Sequence, residues 1–156
     1  MAFEIFGTLR RIIQEVNAAP DLKQALNIIV QRVKRTMGVD AASVYFRDFK
    51  QNELVLMATD GLNQSAVGRV RFKLGEGLVG LVLNRAEPVN IADGPLHPNY
   101  RFMTETGEQV FHGFLGVPII QHRIVLGVLV VRQTEVRRFG ESEETFLVTL
   151  AAQLAG

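Results

Sequence analysis

The 156-residue chain contains no cysteine. Disulfides, thiolate metal sites, cysteine nucleophiles and thioether-linked chromophores are therefore excluded. A strong charge of either sign is also missing, because the formal net charge is only +1. So small a net charge does not indicate general electrostatic attraction to nucleic acid or to an anionic membrane. We expect neither as a partner.

Long hydrophobic runs are absent as well. The longest, "IVLGVLVV" at residues 124–131, is far short of the ~20 residues that cross a bilayer. The first residues, "MAFEIFGTLRR", place an acid before the apolar residues and arginines after them, which is the wrong order for a secretory signal. We expect a cytoplasmic protein whose residues 1–156 form a single domain.

Apolar residues at three-to-four spacing predict three amphipathic helices. The first covers residues 3–18, the second opens at Pro20 and Asp21 and stops at Gly38, and the third follows Gly140. Proline and an acid suit a first helical turn, and glycine is a natural C-terminal stop.

Between these helices the pattern becomes strand-like, interrupted by one short helix, "GLVGLVLNRAE". Two hairpins dominate, one turning at "FKQN" and one at His122. The predicted strands are "ASVYFRD", "ELVLMATDG", "RVRFKL", "PVNIAD", "FLGVPIIQ" and "RIVLGVLVVRQ". Hairpin connections indicate a mainly antiparallel sheet with helices over it, an α+β fold.

A glycine-rich turn, "KLGEGLVG", places Gly75, Gly77 and Gly80 in the pattern G-x-G-x-x-G. In a dinucleotide-binding fold this pattern follows a buried parallel strand and opens a full-length crossover helix. Here the preceding strand carries basic residues on one face, and the helix ends before Pro88. We therefore predict that the glycines allow a tight turn and close helix packing. The helix start also offers backbone N–H groups to a small anion.

Several segments resemble the GAF domain, the small-molecule sensor module of signalling proteins. They are "SVYFRD", "GEGLVG", "EPVNIAD", "HPNY" and "LGVPI" followed by "LGVLVV", in the family's order. More narrowly, "FLGVPIIQ", "LGVLVVRQ" and "ESEETFLVTLAAQ" resemble the N-terminal GAF domains of phosphoenolpyruvate–protein phosphotransferases of the nitrogen-related phosphotransferase system. The resemblance covers nearly the whole chain.

This resemblance implies a six-stranded antiparallel sheet, with terminal helices on one face and a ligand pocket under a short helix and loops on the other. It implies a non-catalytic regulatory domain that has no cofactor and binds a small metabolite, with glutamine or 2-oxoglutarate expected, to modulate autophosphorylation of the attached enzyme. The domain would be an N-terminal fragment of a longer protein. The parent enzyme would use Mg²⁺, and its phosphotransferase domains and phosphocarrier protein would be partners. A homodimer through the terminal helices is also implied. The alternative is a dimerisation or docking module that has no ligand.

Strand alternation sorts the residues of "SVYFR" onto two faces. Val44 and Phe46 form an apolar face, while Ser43, Tyr45 and Arg47 form a mixed one. A mixed face suits a ligand pocket, which is mostly apolar with a few placed polar groups.

The resemblance and this alternation together predict the ligand contacts. These are Ser43, Tyr45, Thr59, Leu78, Val79, His97, Tyr100, Arg101, Phe114, Val130 and Arg132. Arg101 lies on a long irregular segment that resembles the family's lid, and it is the preferred partner for a ligand carboxylate, with Arg132 second. Leu78 and Val79 also fit a role in the core, and Arg101 also fits a solvated surface.

No metal or catalytic site is predicted. The three histidines are scattered, without metal-ligand spacing, and GAF enzymes that reduce methionine sulfoxide need cysteines. The basic face formed by Arg69, Arg71 and Lys73 lacks the interleaved aromatics that suit single-stranded nucleic acid. We interpret it as a solvated strand face.

Overall fold

The computed structural model describes residues 2–107 and 109–156, with side chains from residue 6 onward; Met1 and Glu108 of the predicted domain lie outside this description. The helices and strands are α1 (Ala2–Ala18), α2 (Leu22–Met37), β1 (Ala41–Asp48), β2 (Glu53–Asp60), β3 (Arg71–Lys73), α3 (Gly77–Arg85), β4 (Val89–Ile91), β5 (Gly113–Gln121), β6 (Ile124–Gln133) and α4 (Glu141–Ala155). Short 3₁₀ turns occupy Gln64–Ala66, Gly94–Leu96 and Thr104–Thr106.

The six strands form one sheet in the order β3-β2-β1-β6-β5-β4, and every neighbouring pair is antiparallel. Residues of α1, α2 and α4 share a core with one face of the sheet, and residues of α3 share a core with the other. The predicted α+β architecture is confirmed. Among the described helices, none combines the length and apolar character needed to cross a bilayer.

The ends of α2 follow from its sequence. The Asp21 side chain accepts a hydrogen bond from the Gln24 backbone N–H at 2.8 Å, so Asp21 is the N-cap residue. Gly38 ends the helix with φ of 63°, a left-handed conformation that glycine adopts without strain. At α4, the Glu143 side chain accepts from the Gly140 backbone N–H at 2.9 Å, which is the half of a capping box that does not need a side chain at the N-cap.

The alternating segment before the glycine-rich turn is shorter as a strand than its pattern predicts. Val70 and Phe72 are buried, as the alternation indicates, but Leu74 is 49% exposed. The reason is that β3 ends at Lys73 and the chain turns there.

The glycine prediction is confirmed by two positions. Gly77 has φ of +66°, and a Cβ there would lie 2.8 Å from the Phe72 ring. A Cβ on Gly80 would lie 2.5 Å from the Lys73 carbonyl oxygen. Because α3 has nine residues and leads into an antiparallel strand, this turn does not belong to a dinucleotide-binding unit.

Candidate ligand-binding site

A cavity of about 60 Å³ lies between the sheet, α3 and the lid, which we define as residues 94–112, described except at 108. Its lining residues are Tyr45, Leu62, Phe72, Leu78, Val79, Tyr100, Arg101, Phe102, Met103, Thr106, Gln109, Phe111, Gly113, Phe114 and Arg132. Most of these side chains are apolar or aromatic, so the cavity has the wall composition of a ligand site.

Arg132 is the charged group inside this cavity. Its Nη2 donates a hydrogen bond to the Tyr45 hydroxyl at 3.0 Å. The guanidinium carbon lies 5.8 Å from the centre of the Tyr45 ring and 5.7 Å from that of Phe114, within the range of cation–π attraction. Its Nη1 is buried and has no hydrogen-bond partner among the described residues. A buried charged donor without a partner is costly, and an anionic oxygen would satisfy it.

Arg101 lies at the rim of the cavity. Its side chain is 52% exposed and forms an ion pair with Glu76. Glu76 also accepts a hydrogen bond from the Lys73 backbone N–H at 3.0 Å, so its carboxylate is held at the start of α3. The structure therefore places a neutralised arginine at the rim and an unpaired one inside, which reverses the order of preference drawn from the sequence.

Ser43 and Thr59 do not line the cavity. Their hydroxyl oxygens lie 3.0 Å apart, and both residues are buried in the sheet. The Thr59 hydroxyl donates to the Ala42 carbonyl and accepts from the Leu62 backbone N–H, each at 3.3 Å. The two hydroxyls thus satisfy each other and hold Leu62, which is itself a wall residue.

Val130 and His97 also lie away from the cavity. Val130 is completely buried in the core on the α3 side of the sheet. The His97 Nδ1 accepts a hydrogen bond from the Asn99 backbone N–H at 3.0 Å and so shapes a turn of the lid. The other seven predicted contacts are brought together at the cavity: Tyr45, Leu78, Val79, Tyr100, Arg101, Phe114 and Arg132.

Hydrogen bonds hold the lid over the cavity. The Asn63 backbone N–H donates to the Thr106 carbonyl at 2.8 Å, and the Asn99 side chain donates to the Gly75 carbonyl at 2.9 Å. Burial raises the pKa of the lid residue Tyr100, so its phenol stays neutral. These contacts attach the lid to the loop after β2 and to the glycine turn.

The two ends of the lid are joined at its stem. The Gly94 backbone N–H donates to the His112 carbonyl at 2.6 Å, and the His112 Nδ1 lies 2.8 Å from the Asp93 carboxylate. Across residues 2–107 and 109–156, no three histidine, aspartate or glutamate side chains converge as metal ligands would. The contact between Asp93 and His112 joins the two ends of the lid.

Sequence reasoning missed several wall residues. They are Leu62, Phe72, Phe102, Met103, Thr106, Gln109, Phe111 and Gly113. Phe72 carried a usable signal, because it lies on the apolar face of an alternating strand. The lid residues carried none, since a segment without periodicity gives no indication of which side chains face inward.

The fold is a six-stranded antiparallel sheet with α1, α2 and α4 on one face and α3 with a lidded cavity on the other. The chain belongs to the GAF domain family, whose model matches residues 21–156.

Among relatives, the chain is 48% identical over 147 residues to the phosphoenolpyruvate-dependent phosphotransferase system protein of Escherichia coli, a match covering 94% of this chain and 20% of that protein. The chain therefore spans about a fifth of that relative.

Two solved structures are similar throughout. The GAF domain of a phosphoenolpyruvate-protein phosphotransferase from Coxiella burnetii is 52% identical, with a TM-score of 0.93 over 99% of this chain and 92% of that one. The corresponding domain from Acinetobacter is 42% identical, with a TM-score of 0.89 over 97% and 90%.

Proposed function

We propose that this GAF domain is the regulatory module of a phosphoenolpyruvate–protein phosphotransferase, and that it binds a small carboxylate-bearing metabolite in its cavity. The identities to phosphotransferase relatives support the first part. The second part rests on one observation, the buried Arg132 Nη1 that has no partner among the described residues.

The chemistry of the cavity limits the ligand. Arg132 offers the two N–H donors of its unpaired Nη1, while the aromatic rings of Tyr45, Phe72 and Phe114 offer apolar surface. A compact metabolite with a carboxylate at one end and few other charges matches this wall. Glutamine and 2-oxoglutarate, the expected effectors, both carry a carboxylate, and 2-oxoglutarate carries a second one at its other end.

The size of the cavity implies movement of the lid. A volume of about 60 Å³ is far below the roughly 300–1,000 Å³ of ordinary ligand pockets. A metabolite can enter only if the lid moves outward and gives up hydrogen bonds such as that between Asn63 and Thr106. Binding is thus coupled to a change in lid position.

That coupling provides a means of regulation. A ligand that binds one lid position more tightly than the other by about 1–3 kcal/mol shifts the equilibrium between the two positions by the same free energy. We propose that the terminal helices transmit this bias to the attached enzyme and alter its autophosphorylation. In this proposal the domain needs no cofactor, Mg²⁺ serves the parent enzyme, a phosphocarrier protein receives the phosphoryl group, and the protein acts in the cytoplasm.

A second candidate function is dimerisation or docking without a ligand. An apolar groove between α1 and α4 favours it, lined in part by Leu9 and Ile13. Phe6 beside them is 72% exposed, which is unusual for so large an apolar side chain. A second copy of the chain would cover this groove in a homodimer.

Calorimetric titration with glutamine and with 2-oxoglutarate tests the sensor proposal. Arg132→Met should weaken binding by roughly 10- to 100-fold, because a hydrogen bond to a charged group contributes about 1.5–3 kcal/mol. Arg85→Met is the matched control and should change the affinity little, since Arg85 is exposed at the end of α3 and does not line the cavity. Undiminished binding by the Arg132 variant would show that the carboxylate lies elsewhere. Absence of heat with either metabolite, together with a tight dimer in sedimentation, would favour the docking function.

A further inference from the structure

A second concave surface lies on the other side of the sheet from the cavity. This surface, here called the arginine groove, runs between α1 and α2 and is lined by Thr8, Arg11, Ile12, Glu15, Arg32, Arg35 and Thr36. Three arginines and one glutamate give the groove a charge of +2, whereas the whole chain carries only +1. Positive charge is therefore concentrated here.

The single acid of the groove shows how a carboxylate is held there. Arg32 Nε lies 3.1 Å from each Glu15 carboxylate oxygen, and Arg32 Nη2 donates to Oε2 at 2.6 Å. The Arg32 hydrogen bond lowers the pKa of Glu15, and the charges of Arg35 and Arg11 lower it further. All three guanidinium groups therefore act on one carboxylate.

Two of these arginines keep hydrogen-bonding capacity. Arg11 donates to the Thr8 hydroxyl at 3.2 Å and forms no ion pair with a described side chain. Arg35 is exposed and likewise has no acidic partner among the described side chains. By contrast, Arg71 on β3 is shared by two carboxylates, those of Asp48 and Glu53. The groove thus holds two cations without an acidic partner among the described side chains, whereas Arg71 is neutralised by two carboxylates.

We propose that the arginine groove docks an acidic segment of a protein partner. The guanidinium fork matches a carboxylate with two parallel hydrogen bonds. The groove has no aromatic lining residue on which a nucleic-acid base could stack, which favours a peptide as the occupant.

The length of the groove defines the segment further. From Thr8 to Glu15, α1 rises about 10 Å, which accommodates roughly three residues of extended peptide. In an extended segment, alternate side chains point to the same side. The occupant therefore has acidic residues at alternate positions, so that two carboxylates reach Arg11 and Arg35 together.

Nuclear magnetic resonance titration with a blocked peptide of alternating glutamate and serine, six residues long, tests this proposal. At low ionic strength, we expect shifts of the side-chain Nε–H signals of Arg11, Arg32 and Arg35. The same peptide with glutamine in place of glutamate should produce no shifts. Equal responses to the two peptides, or no response to the acidic one, would overturn the proposal.

A pair of charge-matched variants separates docking from general attraction. Arg35→Gln should weaken binding of the acidic peptide roughly two- to fivefold, the range expected for an exposed ion pair. Arg69→Gln removes the same charge from an exposed position next to β3 and should leave the affinity unchanged. Equal weakening in both variants would show that the peptide responds only to net charge. The titration contains no metabolite, so its outcome does not depend on ligand binding in the cavity on the opposite face.

Discussion

Both faces of the sheet carry a core of buried side chains, but the chemistry of the two faces differs. Along β6, Leu129 and Val131 point toward the helices, while Val130 and Arg132 point toward α3 and the lid. The buried residues of the helix-covered core are all apolar. The cavity face instead holds two polar groups, the Arg132 guanidinium on β6 and the Tyr45 hydroxyl on β1.

This difference shows how one strand serves two purposes. Hydrocarbon packing on the helix-covered face supplies the hydrophobic free energy that stabilises the domain. The cavity face gives up some of that packing to keep polar groups and unfilled volume, which a binding site needs. Substitutions in the helix-covered core should therefore reduce stability, whereas substitutions of the polar side chains in the cavity wall should mainly change recognition.

Leu150→Ala should have the largest effect on stability. Leu150 is completely buried between α4 and the sheet, and such a truncation costs about 2–5 kcal/mol through lost burial and the void it leaves. Urea denaturation followed by circular dichroism measures this change. Leu96→Ala is the control, because that leucine is exposed on the lid; a similar loss in both variants would contradict the assigned role of the helix-covered face.

Gly80→Ala comes next and acts at the turn beneath the cavity. A Cβ there would lie 2.5 Å from the Lys73 carbonyl oxygen, and the backbone must shift because no side chain can move away. We expect a loss of about 1–3 kcal/mol, typical of overpacking.

Gly7→Ala is the same substitution as Gly80→Ala, but we expect it to raise the stability of the domain. Among the described side chains, its Cβ would contact Arg11 Nη1, at an ordinary 3.7 Å. Because Gly7 lies inside α1, alanine should stabilise the helix by up to about 1 kcal/mol. Thermal unfolding of both variants measures the difference, and a loss of stability at Gly7 would show that the contact geometry is not what separates them.

Thr59→Val tests the buried hydroxyl pair. The substitution keeps the shape of the side chain but leaves the Leu62 backbone N–H and the Ser43 hydroxyl without this partner. We expect a loss of about 1–3 kcal/mol. Thr145→Val is the control, since Thr145 is exposed on α4. Equal stability of the two variants would mean that the hydroxyl pair contributes nothing to the free energy of unfolding.

The fold was predictable because its signals are local. Helical spacing, the stop at Gly38 and strand alternation depend on near neighbours in the chain, and each predicted element is present. The exposure of Leu74 shows the limit, because a two-residue pattern does not reveal where a strand ends and a turn begins.

The site was predictable only in part, and the reason lies in long-range contacts. Alternation placed Tyr45 and Arg132 on the cavity face correctly. It could not show that Glu76 neutralises Arg101, since those residues are 25 positions apart. Nor could it show that Ser43 and Thr59 satisfy each other across two strands. Pairing partners are fixed by the folded sheet and lid, which no local pattern encodes.

Glu15→Gln should produce the smallest effect, and it is confined to a range of pH. Arg32 lowers the pKa of Glu15 below its ordinary value of 4.5, so the ion pair contributes stability above that pH. The contribution is lost as pH falls through the lower pKa of the folded state. Wild type should therefore melt above the variant at pH 7, and the two should converge in stronger acid.

The difference in Tm between wild type and Glu15→Gln reports on the titration of Glu15 alone. Arg71 similarly lowers the pKa of Asp48, but Asp48 is present in both proteins, so its titration cancels from the difference in Tm. Glu87→Gln, at an exposed glutamate without an ion pair to a described residue, should give a difference that stays small at every pH. If the difference for Glu15→Gln were constant or grew with acid, the α1–α2 ion pair would not stabilise the helix-covered face.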